Sequence, residues 1–566
     1  MIVGLKSAPA FKFPDCFNMT NDISRRGLWL MLLAFVILWF GNLEYRKLIR
    51  PDEGRYAEIP REMVVSGDWT TPRLNDLKYF EKPPLQYWAT AVAYEVFGEH
   101  QWTSRIWAAL TGFAGILLAW FTATRLFGRE AGIYAALLLG SSLLYAMMAH
   151  VNTLDMGVTF FITLGIFSLL LAQKEEQAAH RRNWMLLAWA GLALAVLSKG
   201  LMGIILPGAA LFLYSVFNRD ITIWKRMHWI TGLLVFFLIA VPWFVLVIKA
   251  NPEFFQRFFI YEHFERFTSK VHGRYQPWYY FVPILLLGML PWTVLMLDTV
   301  VRSWRDGVQK VKAFSPERFL LVWVVFVYAF FSISDSKLPS YVLPMFPSLA
   351  LLMGKQLAAM KARRLFWMTV PSLLAVAILL GIAPFVASTA DTPLQQQMYS
   401  NYSVWLVVAL VIWLIGMGIA MWLLRRENKM VAVIVLAFSS LVATQTAVSG
   451  YNTIAPERSS YILADAIRPL VKPDVQFYSV FCYEQTLPFY LKRTFTLVDF
   501  QDEMDFGIKM EPERWIPTAD LLAQRWSTQA AAYAIVPAQS FNILQKQGMA
   551  MKEIYRDTQY VVVSKP

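Results

Sequence analysis

Acids, bases and tyrosines gather in a short stretch near the start of an otherwise greasy chain. The stretch begins Arg50-Pro51-Asp52-Glu53-Gly54-Arg55-Tyr56 and ends Tyr79-Phe80-Glu81-Lys82-Pro83-Pro84. Similar residues recur in later polar breaks: His150, Asn152 and Asp155; Ser198-Lys199-Gly200; Tyr261-Glu262-His263-Phe264-Glu265-Arg266; and Ser334-Asp335-Ser336-Lys337-Leu338-Pro339-Ser340-Tyr341. Cations such as Arg55, Lys82, Lys199, Arg266 and Lys337 suit a phosphate. Carboxylates such as Asp52, Glu53, Glu81 and Asp155 can orient an acceptor, serve as a base or stabilise a sugar cation. Tyr56, Tyr79 and Tyr341 can stack on a sugar face or donate to phosphate. The set points to chemistry on a phosphate carried by a membrane lipid.

The elements that must position these residues are membrane helices. Apolar residues make up 57% of the 566 and charged residues only 16%, where a soluble domain carries about 25%. Apolar runs of about 20 residues, enough to cross the hydrocarbon core, recur along the chain. They predict a polytopic α-helical membrane protein with about 13 spans. The apolar segment 84–98 is too short to span and reads as interfacial or re-entrant. The first span is followed by Glu44-Tyr45-Arg46-Lys47 with no small-residue cleavage site, so it does not read as a cleaved signal.

Lys and Arg set the orientation. About 20 basic residues fall in six alternate loops, from Arg125 and Arg129 to Arg425, Arg426 and Lys429, against about two in the short loops of the other set. The N-terminus is therefore expected in the cytoplasm. An odd number of spans then puts the chain from about 451 outside. Every chemistry-bearing break falls on that outer face, the longest being loop 48–103. Ionisable residues at membrane depth are costly and tend to be functional. The net charge of +13 is mostly this topology signal. No basic patch on a soluble face suggests nucleic acid as a partner.

Two cysteines give no disulfide framework, since Cys16 is expected inside and Cys482 outside. No phosphate-binding or dinucleotide glycine loop is present, so no nucleotide cofactor is expected. Residues 1–450 read as the transmembrane catalytic domain and 451–566 as a small outer α/β domain. In the latter, 475–481 and 560–563 read as strands, and 519–524 and 541–548 as helices.

Each motif also has a plainer reading. Asp52, Glu53 and Arg55 fit a solvated loop or a helix start. Lys82 before two prolines fits a snorkelling anchor. Asp155 fits a helix N-terminus. Lys199 fits an interfacial anchor as well as a ligand. One carboxylate and one imidazole, Glu81 and His263, do not by themselves make a metal signature.

The order and wording of three motifs narrow this. Pro51-Asp52-Glu53-Gly54-Arg55-Tyr56-Ala57-Glu58-Ile59 with Arg61-Glu62-Met63, Ser66-Gly67-Asp68-Trp69 and Pro72-Arg73-Leu74 resembles the first outer loop of bacterial lipid A aminoarabinose transferases. Tyr79-Phe80-Glu81-Lys82-Pro83-Pro84 is similar to the family's next motif, and Ser336-Lys337-Leu338-Pro339-Ser340-Tyr341-Val342-Leu343-Pro344 to a later one. The wider family is the GT-C glycosyltransferases, with the protein O-mannosyltransferases among them. The C-terminal domain matches only in outline.

The resemblance implies a role for each residue. Asp52 would be the key catalytic or acceptor-orienting acid, and Asp155 a second acid at the cavity. Arg55, Tyr56 and Lys82 would lie near the carrier-lipid phosphate, with Arg266 and Tyr341 as further contacts; Tyr79 and Lys337 join them as expected substrate contacts on residue type alone. Glu81 would attend a divalent metal, and His263 is, on residue type alone, a second candidate ligand for Zn²⁺ or Mg²⁺. The expected reaction moves 4-amino-4-deoxy-L-arabinose from undecaprenyl phosphate to a lipid A phosphate, at the outer face of the bacterial inner membrane. Another sugar or acceptor on the same scaffold is the alternative. A lipid-linked-sugar flippase would show paired broken helices in two related halves, and no such symmetry is visible. No motif suggests self-association, so a monomer is expected.

Overall fold

The structure, a computed structural model, describes residues 25–265, 276–307 and 314–566. The side chains of 25, 28, 263–265, 306 and 307 also lie outside the described set. The first helix, α1 (Arg25–Phe40), leads to the outer loop. Among the described residues, eight helices are long and apolar enough to cross a membrane, and a pair bent by 112° at 289–292 makes a ninth. The remaining expected spans are present as shorter, broken or less apolar helices. The third is split at Ser142 into α5 (Arg129–Ser141) and α6 (Leu143–Met148). Length and composition thus stop short of the expected thirteen.

The first outer loop is not a solvated loop. Asp52 opens a helix, α2 (Asp52–Ser66). Asp52 and Glu53 in its first turn complement the positive end of the helix dipole. Gly67 ends it in the left-handed conformation, φ +71°, its N–H returning to the Met63 carbonyl. Every residue from Glu53 to Met63 is buried. A short hairpin, β1 (Arg73–Leu74) and β2 (Leu77–Lys78), follows. Then comes α3 (Leu85–Phe97), a 13-residue helix too short to span. The chain enters the bundle with α4 (Gln101–Phe127).

Three elements bring the other polar breaks to this loop. Asp155 lies in the first turn of α7 (Leu154–Lys174), and Lys199 ends the neighbouring α8 (Ala178–Lys199). The two helices pack side by side in opposite directions, so the start of one meets the end of the other. The later break forms a 3₁₀ segment, Pro339–Met345, ahead of an apolar helix.

The C-terminal domain is a six-stranded sheet in the order β5-β4-β3-β6-β8-β7. Its strands are β3 (Phe477–Val480), β4 (Thr496–Val498), β5 (Trp515–Ile516), β6 (Tyr533–Pro537), β7 (Lys552–Arg556) and β8 (Tyr560–Ser564). Strands β5, β4, β3 and β6 run parallel to one another; β8 is antiparallel to β6, and β7 to β8. Period-2 alternation divides the core between the two faces. Ala534, Val536, Val561 and Val563 pack with Trp526 and Leu544, while Ile535 and Val562 pack with Leu463, Ile467 and Phe477. The expected helices 519–524 and 541–548 are found as Ala519–Thr528 and Phe541–Lys546.

The domain is welded to the first outer loop. Tyr56, Ile59, Met63, Leu74, Leu77 and Tyr79 share one apolar cluster with Tyr483, Leu497, Met504 and Ile508. Full burial of such side chains contributes about 1.5–3 kcal/mol each. Asn75 and the Phe495 backbone exchange two hydrogen bonds of 2.7 and 2.8 Å. Gly54 permits the close approach: a Cβ there would stand 2.6 Å from the Gln485 carbonyl oxygen.

Candidate functional site

Helical spacing sorts the two adjacent acids at the head of α2. Asp52 keeps its side chain 43% exposed, whereas Glu53, about 100° around the helix, is 1% exposed. Glu53 accepts from Arg46 at 2.8 and 3.1 Å and from Arg105 at 2.7 and 2.9 Å. It also takes the backbone N–H groups of Ile49 and Asn152, each at 3.1 Å. Burial opposes ionisation, but Arg105 and Arg46 outweigh it and hold the Glu53 carboxyl at about 2. This corrects the reading of Glu53 as an acid facing substrate. Its acceptor capacity is spent inside the protein, and it ties the Asp52 helix to the turn that leads to Asp155.

Arg55, one turn on, is the hub of the exposed side. Its Nη2 donates to Asp52 at 3.2 Å, its Nη1 donates to the Tyr79 hydroxyl at 2.7 Å, and it pairs with Glu503 at 2.9 Å. The Tyr56 ring lies 5.8 Å from the guanidinium. Burial works against its charge, yet Tyr79, Glu503, Tyr56 and Glu81 hold Arg55 well above its ordinary value, so it stays cationic. The Arg55 Nε is buried with no acceptor among the described residues. Burial pushes Tyr56 and Tyr79 well up, helped by Asp52 for the first and Glu81 for the second. Both remain neutral hydroxyls. Tyr79 accepts from Arg55, which leaves its own proton for another acceptor.

A second group faces the first. Lys199 is ion-paired to Asp155 through a short contact and sits 5.0 Å over the Tyr341 ring, which packs against Phe331. Asp52 is within electrostatic reach of Lys199, Tyr56 and Tyr87. Asp52, Arg55, Tyr56, Tyr79, Glu81, Asp155 and Tyr341 therefore belong to one neighbourhood, and Lys199 joins it as a ligand-side cation paired with an acid.

Lys82 lies at its edge. It donates to the Glu81 carbonyl at 2.8 Å and stands 3.9 Å from the Glu81 carboxylate and 3.6 Å from Glu262. Arg257 approaches the same Glu262 carboxylate at 3.4 Å and stacks 5.0 Å over Phe506 of the C-terminal domain. Lys337 is placed differently from the expectation of a substrate contact. Its ammonium is buried on the backbone carbonyls of Ser334 and Gln276, the latter at 2.7 Å, so it closes a loop. Arg266 and the side chain of His263 lie outside the described residues. Among the described residues no three His, Cys, Asp or Glu gather as a metal cluster.

Sequence reasoning missed Glu503, Arg257 and Glu262. Glu262 was visible as one acid in a mixed-charge loop. Glu503 had no local signal, because its partner Arg55 is in another domain.

Two family models match separate stretches of the chain. Residues 463–565 match a family model described as the aminoarabinose transferase C-terminal domain. Residues 81–245 match one described as dolichyl-phosphate-mannose-protein mannosyltransferase. A crystal structure of ArnT from Cupriavidus metallidurans bound to undecaprenyl phosphate is similar at 36% identity, TM-score 0.90, over 95% of this chain and 98% of that one. An undecaprenyl phosphate-alpha-4-amino-4-deoxy-L-arabinose arabinosyl transferase of Pseudomonas aeruginosa is 29% identical over 89% of this chain and 91% of its own length. One from Pseudomonas fluorescens is 34% identical over 62% of this chain, a stretch spanning 59% of that relative's length. With two family models at opposite ends, and a shared architecture from the first outer loop to the last strand, the chain belongs to the ArnT family of aminoarabinose transferases, membrane glycosyltransferases of the GT-C type.

Proposed function

We propose that this chain transfers 4-amino-4-deoxy-L-arabinose from undecaprenyl phosphate to a phosphate of lipid A. It would act in the bacterial inner membrane, with its N-terminus in the cytoplasm and the C-terminal domain in the periplasm. The observation that carries the reading is the facing of two acid–cation groups, Asp52 with Arg55 and Asp155 with Lys199, at the rim of the helix bundle. The orphaned Arg55 Nε beside them suits a phosphate oxygen.

In the transfer, the bond from the anomeric carbon to the donor phosphate oxygen breaks, and one to an acceptor phosphate oxygen forms. Negative charge grows on the leaving phosphate, where Arg55, Lys82 and Arg266 would stabilise it in a water-poor cleft. The acceptor phosphate has a second pKa of about 6 and is already nucleophilic at neutral pH. Asp52 then need not remove a proton. It positions the acceptor or stabilises positive charge at the sugar carbon, and Asp155, neutralised by Lys199, shapes the opposite wall. Tyr56 and Tyr79 remain protonated and donate. Glu81 with His263 would hold a divalent cation, which would supply further positive charge beside a phosphate. Metal analysis of the purified wild type and Glu81→Ala tests it.

The deciding experiment is mass spectrometry of lipid A from a strain that makes the undecaprenyl donor but lacks its own transferase. Expression of this chain is expected to add a pentosamine mass, lost with Asp52→Asn and Lys82→Ala. No addition from a folded, membrane-inserted protein would overturn the pairing of this sugar with this acceptor.

A further inference from the structure

At the end of the bundle away from the catalytic cluster, α9 (Met202–Asn218) and the helix Pro316–Ile333 frame an apolar groove of about 440 Å³. That volume falls within the range of about 300–1,000 Å³ typical of ligand cavities. Leu213, Phe217, Val325, Phe326 and Ala329 supply its walls. Among the described residues its one charged lining group is Arg318. Arg318 Nη1 donates to Asn218 Oδ1 at 2.6 Å, and Asn218 in turn donates to the Tyr214 hydroxyl at 3.2 Å. Arg318 Nη2 is buried with no acceptor among the described residues. The adjacent acid, Glu317, is engaged by Lys355 at 2.6 Å.

A buried guanidinium N–H without an acceptor is costly, and an apolar trough ending in such a group is the complement of an acyl chain with an anionic head. Both helices meet the groove at the ends that adjoin the Lys- and Arg-rich loops, the cytoplasmic side in the orientation proposed above. That leaflet carries the anionic surface. We propose that the groove holds an acyl chain of an anionic phospholipid of the cytoplasmic leaflet, its phosphate on Arg318. The site lies outside the catalytic cluster, but it braces the helix whose far end leads into the Ser334–Tyr341 segment.

The test uses the purified full-length protein in nonionic detergent and native mass spectrometry. It compares phosphatidylglycerol, phosphatidylcholine with the same chains, and undecaprenyl phosphate. Wild type is expected to retain phosphatidylglycerol at least tenfold better than phosphatidylcholine. Arg318→Gln should abolish that preference and Arg318→Lys should restore part of it. Ala329→Trp, which fills the trough from its apolar wall, should reduce retention of both phospholipids if Arg318→Gln does not fold. Equal retention of the two phospholipids by wild type, or an unchanged preference in Arg318→Gln, overturns the proposal. So does displacement of phosphatidylglycerol by undecaprenyl phosphate through the same Arg318, which would give the groove to the donor's tail.

Discussion

Replacing Glu53 with Gln separates positioning from chemistry in this site. Glu53 is enclosed by Arg46 and Arg105 and holds the backbone of Asn152, three residues before Asp155. A neutral amide at this position would leave two buried guanidinium groups without their shared anion. Removing one partner of a buried pair costs about 3–5 kcal/mol. The acid–base linkage gives an independent figure. The carboxyl falls from 4.5 to about 2 on folding, a shift worth about 3 kcal/mol. Because the folded value is the lower one, that stability is fully present above about pH 4.5 and is lost as pH falls through about 2. Wild type should therefore soften across that acid window, and Glu53→Gln should be insensitive there. In a chain of this length, 3 kcal/mol lowers a global melting temperature by roughly 3 °C, and by more if the outer loop opens first. Catalysis should suffer further, since a misplacement of about 1 Å costs about a hundredfold in rate. The loss should fall on kcat, with KM for the donor little changed. The assays are fluorescence-detected melting from neutral pH to about pH 3, and initial rates with purified donor and lipid A. A variant that melts and turns over like wild type would refute the argument that Glu53 ties the two acids together.

Asp52→Asn should lower turnover by roughly a hundredfold while leaving the melting temperature unchanged, because Asp52 is half-exposed and, in the proposed mechanism, acts on the transition state. Lys199→Met should destabilise by about 3–5 kcal/mol, and the double variant Lys199→Met/Asp155→Leu by less than that single change, as a double-mutant cycle of melting curves would report. Gly54→Val should weaken the docking of the C-terminal domain, since even a Cβ meets the Gln485 carbonyl. Gly67→Ala, with open space around it but φ +71°, should cost only about 1 kcal/mol; limited proteolysis and melting distinguish the two. Glu503→Gln should reduce turnover about tenfold, read against the same rates, by freeing Arg55 from its partner.

Motifs contiguous in sequence were legible, and contacts across the chain were not. Asp52, Arg55 and Tyr56 stand within five residues, and their types alone announce a polar site. Basic residues in alternate loops likewise predict a single face for the polar breaks. Glu53 misled because an exposed loop and the first turn of a buried helix look the same without knowing where Arg105 lies, 52 positions away. Lys337 shares a motif with Tyr341, yet one bonds loop carbonyls and the other faces Lys199. Of the thirteen expected spans, nine qualify by length and composition among the described residues, counting the bent pair at 289–292 as one. Of the other four expected runs, α1 and α9 are short, α8 is less apolar, and the break at Ser142 splits 131–149 into α5 and α6, differences that a hydropathy window averages away.

The C-terminal domain is part of the site's construction. Three arginines of the first outer loop find carboxylates there: Arg50 with Glu484 at 2.7 Å, Arg55 with Glu503 at 2.9 Å and Arg73 with Glu511 at 3.0 Å. An arginine that must meet a substrate phosphate gains from an internal anion, which holds its guanidinium fixed and charged while the cleft is dry. The cost is attraction between that anion and the cation proposed to meet the leaving phosphate. Gln485 shares the load by donating to the Glu503 carboxylate at 2.8 Å, so a neutral donor takes part of its acceptor capacity. Glu503 thus orients Arg55 without being held by it alone. The helix that begins with Asp52 is held on one side by membrane helices through Glu53 and on the other by the outer domain through Arg55. Neither half of the chain contains the complete geometry.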